Sequence, residues 1–370
     1  MNILYTNFHA RNGGGHVTYI LNLLHGLVRE HSVTVATPRS SRLYRLATAI
    51  TGVKVIDMSY STRPSSWLAP RARLRALVRE GRFDLVHANG SADHKQVMLA
   101  LLGLRRRPAV ILTKHNDHAV QSMGHGLRAR FATDRVIAVS DFIRDILLRS
   151  PYRRCGVVTV RHGIDTDFFS PVDAVRRQAL RDETLGVGLR GKIVLGSSAG
   201  SDFDKGWLDL VEAISLLPAG LRERFHVVVI GDPPNEEKVA RVAGLGMTHS
   251  VSFPGLIDDV RPALAACDAG FVLSYREALS FACRELMALG LPVLVTRVGG
   301  LPENLEDGLE GWIVPMKDPR AIAAVLERIA ADPSMLVRMG TAARARAAQE
   351  FNLPLFVRRT LEVYQSALRH

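Results

Sequence analysis

The chain has 370 residues, 47 % of them hydrophobic, enough to bury two ordinary cores, so two domains of about 170 to 190 residues are expected. No apolar run approaches the roughly 18 residues of a membrane span, and Cys155, Cys267 and Cys283 lack metal-type spacing, which suits reduced, packed thiols. Residues 1–170 hold 25 Lys and Arg against 11 Asp and Glu, so the net charge of +12 comes from that half, a field that attracts anionic lipid, phosphorylated saccharide or nucleic acid.

Strand and helix patterns alternate along the whole chain, which argues for an α/β protein with parallel sheets covered on both faces. Asn2 to Phe8 opens as a strand with no room for a signal peptide, so a cytoplasmic protein is expected. Gly13-Gly14-Gly15 then makes a turn, His16 to Glu30 a helix and Ser32 to Thr37 a strand. Gly14 and Gly15 let backbone approach a phosphate at a helix N-terminus, although the spacing is not that of a dinucleotide fingerprint. Arg71, Arg73, Arg75 and Arg79 lie near a helix pattern, and Arg105-Arg106-Arg107 ends another. Buried strands follow at Leu85–Asn89, Ala109–Thr113, Val136–Val139 and Val157–Val160. The stretch Asp165 to Gly191, polar and helical, reads as the place of a linker, giving a first domain of 1–170 and a linker of 171–191.

The second domain, 192–352, opens on the strand Lys192–Gly196 and repeats the scheme at Phe225–Ile230, Val251–Phe253, Gly270–Leu273 and Val293–Thr296. Lys205, in Asp204-Lys205-Gly206, follows its first strand, where a point charge can neutralise a leaving diphosphate. Glu277 and Glu285 stand eight positions apart, with Ser280 between them as a natural helix N-cap and Gly290-Leu291-Pro292 as the stop. Eight helical residues span on the order of 12 Å, longer than the roughly 5 to 9.5 Å of a glycosidase pair. A longer ligand fits better, with a hydroxyl-rich end for each carboxylate and an anion on the N–H groups of Phe281 to Cys283, Ala282 among them. A nucleotide sugar has that layout. Asp165-Thr166-Asp167 reads as a turn and not as a Mg²⁺ or Mn²⁺ site, and no metal is expected. The chain closes on an amphipathic helix from Leu353.

The segment Glu277 to Glu285 resembles the E-x7-E region of the retaining glycosyltransferases of the GT-B fold, most closely family 4 (group 1). Gly13-Gly14-Gly15-His16, Leu85-Val86-His87-Ala88-Asn89, Thr113-Lys114-His115-Asn116, Val136-Ile137-Ala138-Val139-Ser140, His162-Gly163-Ile164-Asp165, Asp204-Lys205-Gly206 and Gly299-Gly300-Leu301-Pro302-Glu303 follow in the family's order. The resemblance implies two facing Rossmann-like domains with an interdomain cleft, the first taking the acceptor and completed by the helix 353–370. It implies transfer of a sugar from a nucleoside diphosphate, UDP-linked, to a hydroxyl of a saccharide or lipid-linked acceptor, as in lipopolysaccharide or other glycoconjugate synthesis. Lys205 with the amides around Ser280, Phe281 and Ala282 would take the diphosphate, Glu277 the sugar hydroxyls, Glu285 the ribose, and His115 the reacting sugar. No cofactor is implied. An anionic acceptor, with peripheral contact at the inner membrane face, is the expectation for the basic half.

Two departures stand out. Relatives carry an arginine five or six residues before the lysine, where this chain has Ala199 or Gly200, so hydroxyls, amides or Arg284 would have to compensate. Relatives also read E-G-F-G where this chain reads Glu277-Ala278-Leu279-Ser280. A sugar-nucleotide epimerase of the same architecture would bind the same ligand without an acceptor. A nucleic-acid-binding protein would account for the basic half, but with 6 % aromatics and no RNA-binding motif no nucleic acid is expected.

Overall fold

The computed structural model describes residues 1–11, 13–60 and 68–369. Contacts divide the chain into two units, Met1–Gly163 with Leu353–His370, and Ile164–Asn352. Each is an α/β unit on a fully parallel sheet.

The first sheet has seven strands, β1 (Asn2–Thr6), β2 (Ser32–Thr37), β3 (Val53–Asp57), β4 (Leu85–Ala88), β5 (Ala109–Lys114), β6 (Arg135–Ala138) and β7 (Val157–Thr159), in the order β3-β2-β1-β4-β5-β6-β7. The second has six, β8 (Ile193–Ser197), β9 (Phe225–Ile230), β10 (Val251–Gly255), β11 (Ala269–Val272), β12 (Val293–Thr296) and β13 (Gly311–Val314), in the order β10-β9-β8-β11-β12-β13. Strand order reverses between β1 and β4 in one and between β8 and β11 in the other. At such a switch point the loops leaving the two strands diverge and open a crevice at their carboxyl ends.

The sequences of these strands are apolar runs because both faces are covered. In the second unit Leu195, Val227, Val229, Phe271 and Leu294 join one core, while Val194, Val228, Ile230, Val272, Val293 and Val295 join the other. Successive residues alternate between the two, as the pleat requires. The Rossmann-like architecture expected from the alternating pattern is therefore present twice. β3 and β13 are additions to the elements read from sequence. Both lie at sheet edges, where strands are short.

The stretch 171–191, read as a polar helical linker, carries the helix Ala174–Thr184 and lies within the second unit. The buried Arg181 on that helix pairs with Asp268 at 2.9 Å and donates to the carbonyls of Ala266 and Lys192, a set of bonds that fixes the helix in place. Two of the arginines assigned to a basic surface are also committed: Arg71 donates to Leu99 O at 3.0 Å, and Arg75 to Ala100 O and Leu102 O at 2.8 and 2.6 Å. They satisfy carbonyls at the end of the helix Ser91–Leu101, which has no further turn to do so.

The helix Leu353–Leu368 packs in the first unit, where Tyr364 is fully buried. Its hydroxyl lies 2.6 Å from both Tyr5 Oη and His87 Nδ1, and His87 Nε2 lies 2.6 Å from Thr113 Oγ1. His87, with both ring nitrogens engaged, is a structural member of this network.

Candidate functional site

In the second unit, the loops leaving β8 and β11 bring Lys205 and Glu277 together. After β8 the chain makes a short 3₁₀ turn, Phe203–Lys205, and passes through Gly206 into the helix Trp207–Ser215. Gly206 has φ +67, and a Cβ there would stand 2.0 Å from the carbonyl oxygen of Leu273 in the loop after β11. Only glycine permits that approach. Beside it the N–H of Tyr275 donates to Asp204 O at 2.7 Å, and the Tyr275 hydroxyl donates to Asp209 Oδ1 and Oδ2 at 2.9 and 3.0 Å. With the loops fixed in this way, Lys205 Nζ lies 3.9 Å from Glu277 Oε2, both side chains about a quarter exposed (26 % and 22 %). The result is a paired but accessible cation at the switch point.

From Glu277 the chain runs into the helix Phe281–Ala288. Ser280 is its N-cap, accepting the Cys283 N–H at 3.3 Å, so that amide is spent on the cap and the anion-binding set shrinks to the first two residues, Phe281 and Ala282. Ser280 holds φ +97, a region that favours glycine. Since such strain costs about 1–3 kcal/mol and Gly is only a few tenths worse than Ser as a cap, Ser280→Gly is expected to stabilise the protein by about 1 kcal/mol. Urea unfolding checks this, and a lower midpoint for the glycine variant would mean that the strain argument fails.

Arg284, considered above as compensation for the missing arginine, does not face the loop's anion-binding side. It is fully buried, its Nε donates to Asn304 Oδ1 at 2.8 Å and its guanidinium stacks 3.9 Å from the Phe351 ring centre. Asn304 in turn donates to Leu279 O at 2.9 Å, so Arg284 supports the Glu277 loop from below. A cation the sequence reading passed over is Lys238, on the helix Glu236–Gly244, whose Nζ donates to Ser201 O at 2.8 Å, one residue from Gly200. In sequence it looks like one charge of a solvated helix. Glu285 is half-buried on the second turn of its helix, and desolvation pushes its carboxyl up to about 7.

In the first unit, Gly13 (φ +69) caps the helix Gly14–Leu27, and Gly14 (φ +48) has open space where a Cβ would be. Gly14 and Gly15 form the first turn of that helix, and His16 follows. The ring of His16 lies 4.2 Å from that of His115, just past β5, and its Nδ1 lies 3.1 Å from Asn89 O. His115 Nε2 lies 3.2 Å from Asn89 Oδ1, and Tyr19 meets its ring edge-on at 4.6 Å. Burial lowers His115 well below the usual histidine value and takes His16 to about 3, so both rings are neutral at pH 7. His16, just after the glycine turn, is thus a direct neighbour of His115. His16, Asn89 and His115 border a cavity of about 330 Å³ whose wall also includes Lys114, Arg128, His94 and Tyr152.

Asp165 Oδ1 accepts the N–H groups of Asp167 and Phe168 at 3.0 and 2.9 Å, which makes the Asp165-Thr166-Asp167 segment a side-chain-closed turn. No group of three or more His, Cys, Asp or Glu that could hold a metal ion occurs among the described residues. The three cysteines are buried free thiols.

Two doubly wound parallel sheets, with polar groups gathered at the switch points, are the architecture of the two-domain glycosyltransferases. Residues 13–168 match Glycosyltransferase Family 4 and residues 192–332 match Glycosyl transferases group 1. The chain belongs to this glycosyltransferase family. It is 32 % identical over 251 residues to a D-inositol 3-phosphate glycosyltransferase of Streptomyces bingchenggensis, covering 64 % of this chain and 54 % of the relative. To the protein of that name from Streptomyces scabiei it is 30 % identical over 323 residues, covering 78 % and 69 %. It is 28 % identical over 366 residues to a GDP-mannose-dependent alpha-(1-6)-phosphatidylinositol monomannoside mannosyltransferase of Mycolicibacterium smegmatis, covering 92 % of both chains. The chain thus spans about half the length of the first of these relatives. In fold it is similar to Anabaena HepE, solved in complex with UDP, with a TM-score of 0.83 and 19 % identity over 99 % of this chain and 100 % of the other.

Proposed function

We propose that the protein transfers a sugar from a nucleoside diphosphate to an acceptor hydroxyl, with retention at the anomeric carbon. The observation that carries this reading is the Lys205–Glu277 pair at the second switch point, beside a capped helix that bears Glu285. In this assignment Lys205 and the amides of Phe281 and Ala282 stabilise the departing diphosphate, with Ser280 shaping the turn. Lys238, bonded to Ser201 O beside the place of the absent arginine, adds a second positive charge. Glu277 holds sugar hydroxyls and also keeps Lys205 in place. Glu285 takes the ribose. His115, as a neutral ring, offers a hydrogen bond to the transferred sugar, and the glycine turn at Gly14 and Gly15 admits a polar ligand close to backbone. No residue is assigned as a covalent nucleophile, and no metal takes part in any step.

UDP is the donor nucleotide we carry forward, supported by the UDP complex of HepE; the GDP-mannose dependence named for the mycobacterial relative supports guanosine as the second reading. The acceptor is a saccharide or lipid-linked alcohol of a bacterial glycoconjugate. No helix among the described residues is long and apolar enough to cross a membrane, but the helix Met123–Phe131 exposes Met123, Leu127 and Phe131 (84 %, 45 % and 48 %), one turn apart, with Arg130 against Phe131. That stripe supports peripheral contact with an anionic bilayer.

Thermal-shift screening against UDP- and GDP-sugars tests the donor assignment, since a ligand at a hundredfold its Kd adds about 2.7 kcal/mol of stability. One nucleotide series is expected to raise the melting temperature, with nucleoside diphosphate released only when acceptor is added. Release of an isomerised sugar nucleotide without acceptor would favour the epimerase instead, and no response to any nucleotide sugar would remove the assignment. Co-sedimentation with phosphatidylglycerol vesicles, lost on Leu127→Asp, is the corresponding check on the bilayer contact.

A further inference from the structure

We propose that the cavity of the first unit binds a phosphoryl group carried by the acceptor, with Lys114 and Arg128 as its cationic ligands. The word acceptor rests on the glycosyl-transfer reading; the phosphoryl site itself does not.

Arg128 is only 6 % exposed, yet it lines the cavity and its one side-chain hydrogen bond is a long contact of 3.4 Å to the neutral Tyr152 hydroxyl. A buried guanidinium without a counter-charge costs several kcal/mol, and proteins normally avoid the situation by pairing it. This chain does so elsewhere: Arg181, equally buried, is paired with Asp268 at 2.9 Å. Among the described residues no carboxylate stands within ion-pair distance of Arg128 or of Lys114.

Lys114, at the end of β5, donates from Nζ to the neutral Asn116 Oδ1 at 2.7 Å. Burial holds its ammonium down to about 8, Asp117 opposing the shift and Arg128 adding to it. His94 and His125 on the same wall are lowered by burial and by the Arg128 charge. The cavity therefore concentrates positive charge away from water and surrounds it with neutral imidazoles. What is missing is an anion. A planar guanidinium offers two parallel donors and an ammonium a point charge, a combination suited to the several oxygens of a phosphoryl group. At about 330 Å³ the cavity reaches the lower end of ligand pockets, and so has room for a polyol ring as well as the phosphate. Two of the similar proteins are named for inositol 3-phosphate and a phosphatidylinositol mannoside, both phosphate-bearing alcohols.

The test is titration calorimetry of the full chain with inorganic phosphate, in wild type, Lys114→Gln, Arg128→Met and Lys205→Ala. Binding at least tenfold weaker in Lys114→Gln and Arg128→Met than in wild type is the expected result, while Lys205→Ala reports phosphate taken up at the diphosphate site of the second unit. Lys114→Gln and Lys205→Ala are expected to keep the wild-type melting temperature in phosphate-free buffer, and Arg128→Met to raise it, because an unpaired buried charge is replaced by an apolar chain. If Arg128→Met does not fold, Lys114→Gln decides alone. Phosphate affinity unchanged in Lys114→Gln, or lost only in Lys205→Ala, overturns the proposal, as does equal binding of acetate. A wild type that binds phosphate through Lys114 but responds to no nucleotide sugar would defeat the donor reading and leave this one standing. Vesicles of phosphatidylcholine with phosphatidylinositol separate the two sources of the phosphate: retention displaced by inorganic phosphate supports a lipid headgroup, and binding of phosphate without retention supports a soluble phosphorylated polyol.

Discussion

Lys205→Ala is expected to lower turnover of a nucleotide sugar by about 10²–10³-fold, the usual cost of removing one preorganised charge from a developing anion, while the melting temperature stays within about 1 °C. Its ammonium is part-exposed and its ion pair with Glu277, at 3.9 Å, is too long and too solvated to stabilise the fold by more than about 1 kcal/mol. The backbone bonds that hold its loop, from Tyr275 N to Asp204 O and from Lys205 N to Asp202 O, do not depend on the side chain. Stability and turnover should therefore separate. Release of nucleoside diphosphate under saturating donor measures the effect, and wild-type turnover in this variant would mean that the leaving group departs elsewhere.

Glu285→Gln is expected to weaken nucleoside diphosphate binding by about 10- to 100-fold at pH 8, since a hydrogen bond to a charged acceptor contributes about 1.5–3 kcal/mol. The pH dependence has a definite sign. The Glu285 carboxyl is raised from 4.5 to about 7 by desolvation, so the folded chain holds a proton there that the unfolded chain has released. Stability from this group is fully present below pH 4.5, falls as pH rises and is lost above about 7. The amide variant never ionises. It should melt at a higher temperature than wild type at pH 8, and the difference should vanish near pH 4.5. Wild-type nucleotide affinity should rise between pH 6 and 8 as the carboxylate forms, and that of the variant should stay flat. Equal melting temperatures at pH 8 would show that the carboxyl is not desolvated in solution.

The parallel sheets were legible because their strands are apolar runs bounded by glycine and polar turns, and Lys205, Glu277 and Ser280 were legible as types of residue at strand ends and a helix start. Sequence order cannot say which distant groups converge. Lys114 and Arg128 lie on different elements, and only the fold shows that they share a cavity without a carboxylate. Arg284, close in sequence to Glu277, reads as one of the groups able to compensate for the missing arginine until its burial on Phe351 is seen. The helix within 171–191 was legible, but the bond that fixes it, Arg181–Asp268, leaves no periodic trace in the sequence. Ser280 is the opposite case, where sequence gave the cap and concealed its price in backbone strain.

The return of the Leu353–Leu368 helix to the first unit bears on the order of assembly at the ribosome. Residues 164–352 are all synthesised before that helix, whereas Tyr5, His87 and Thr113 wait for Tyr364. The part of the first unit made before the second is thus the one whose interior is sealed last, and a chain cut after Asn352 should hold a finished second unit with an unsealed first one.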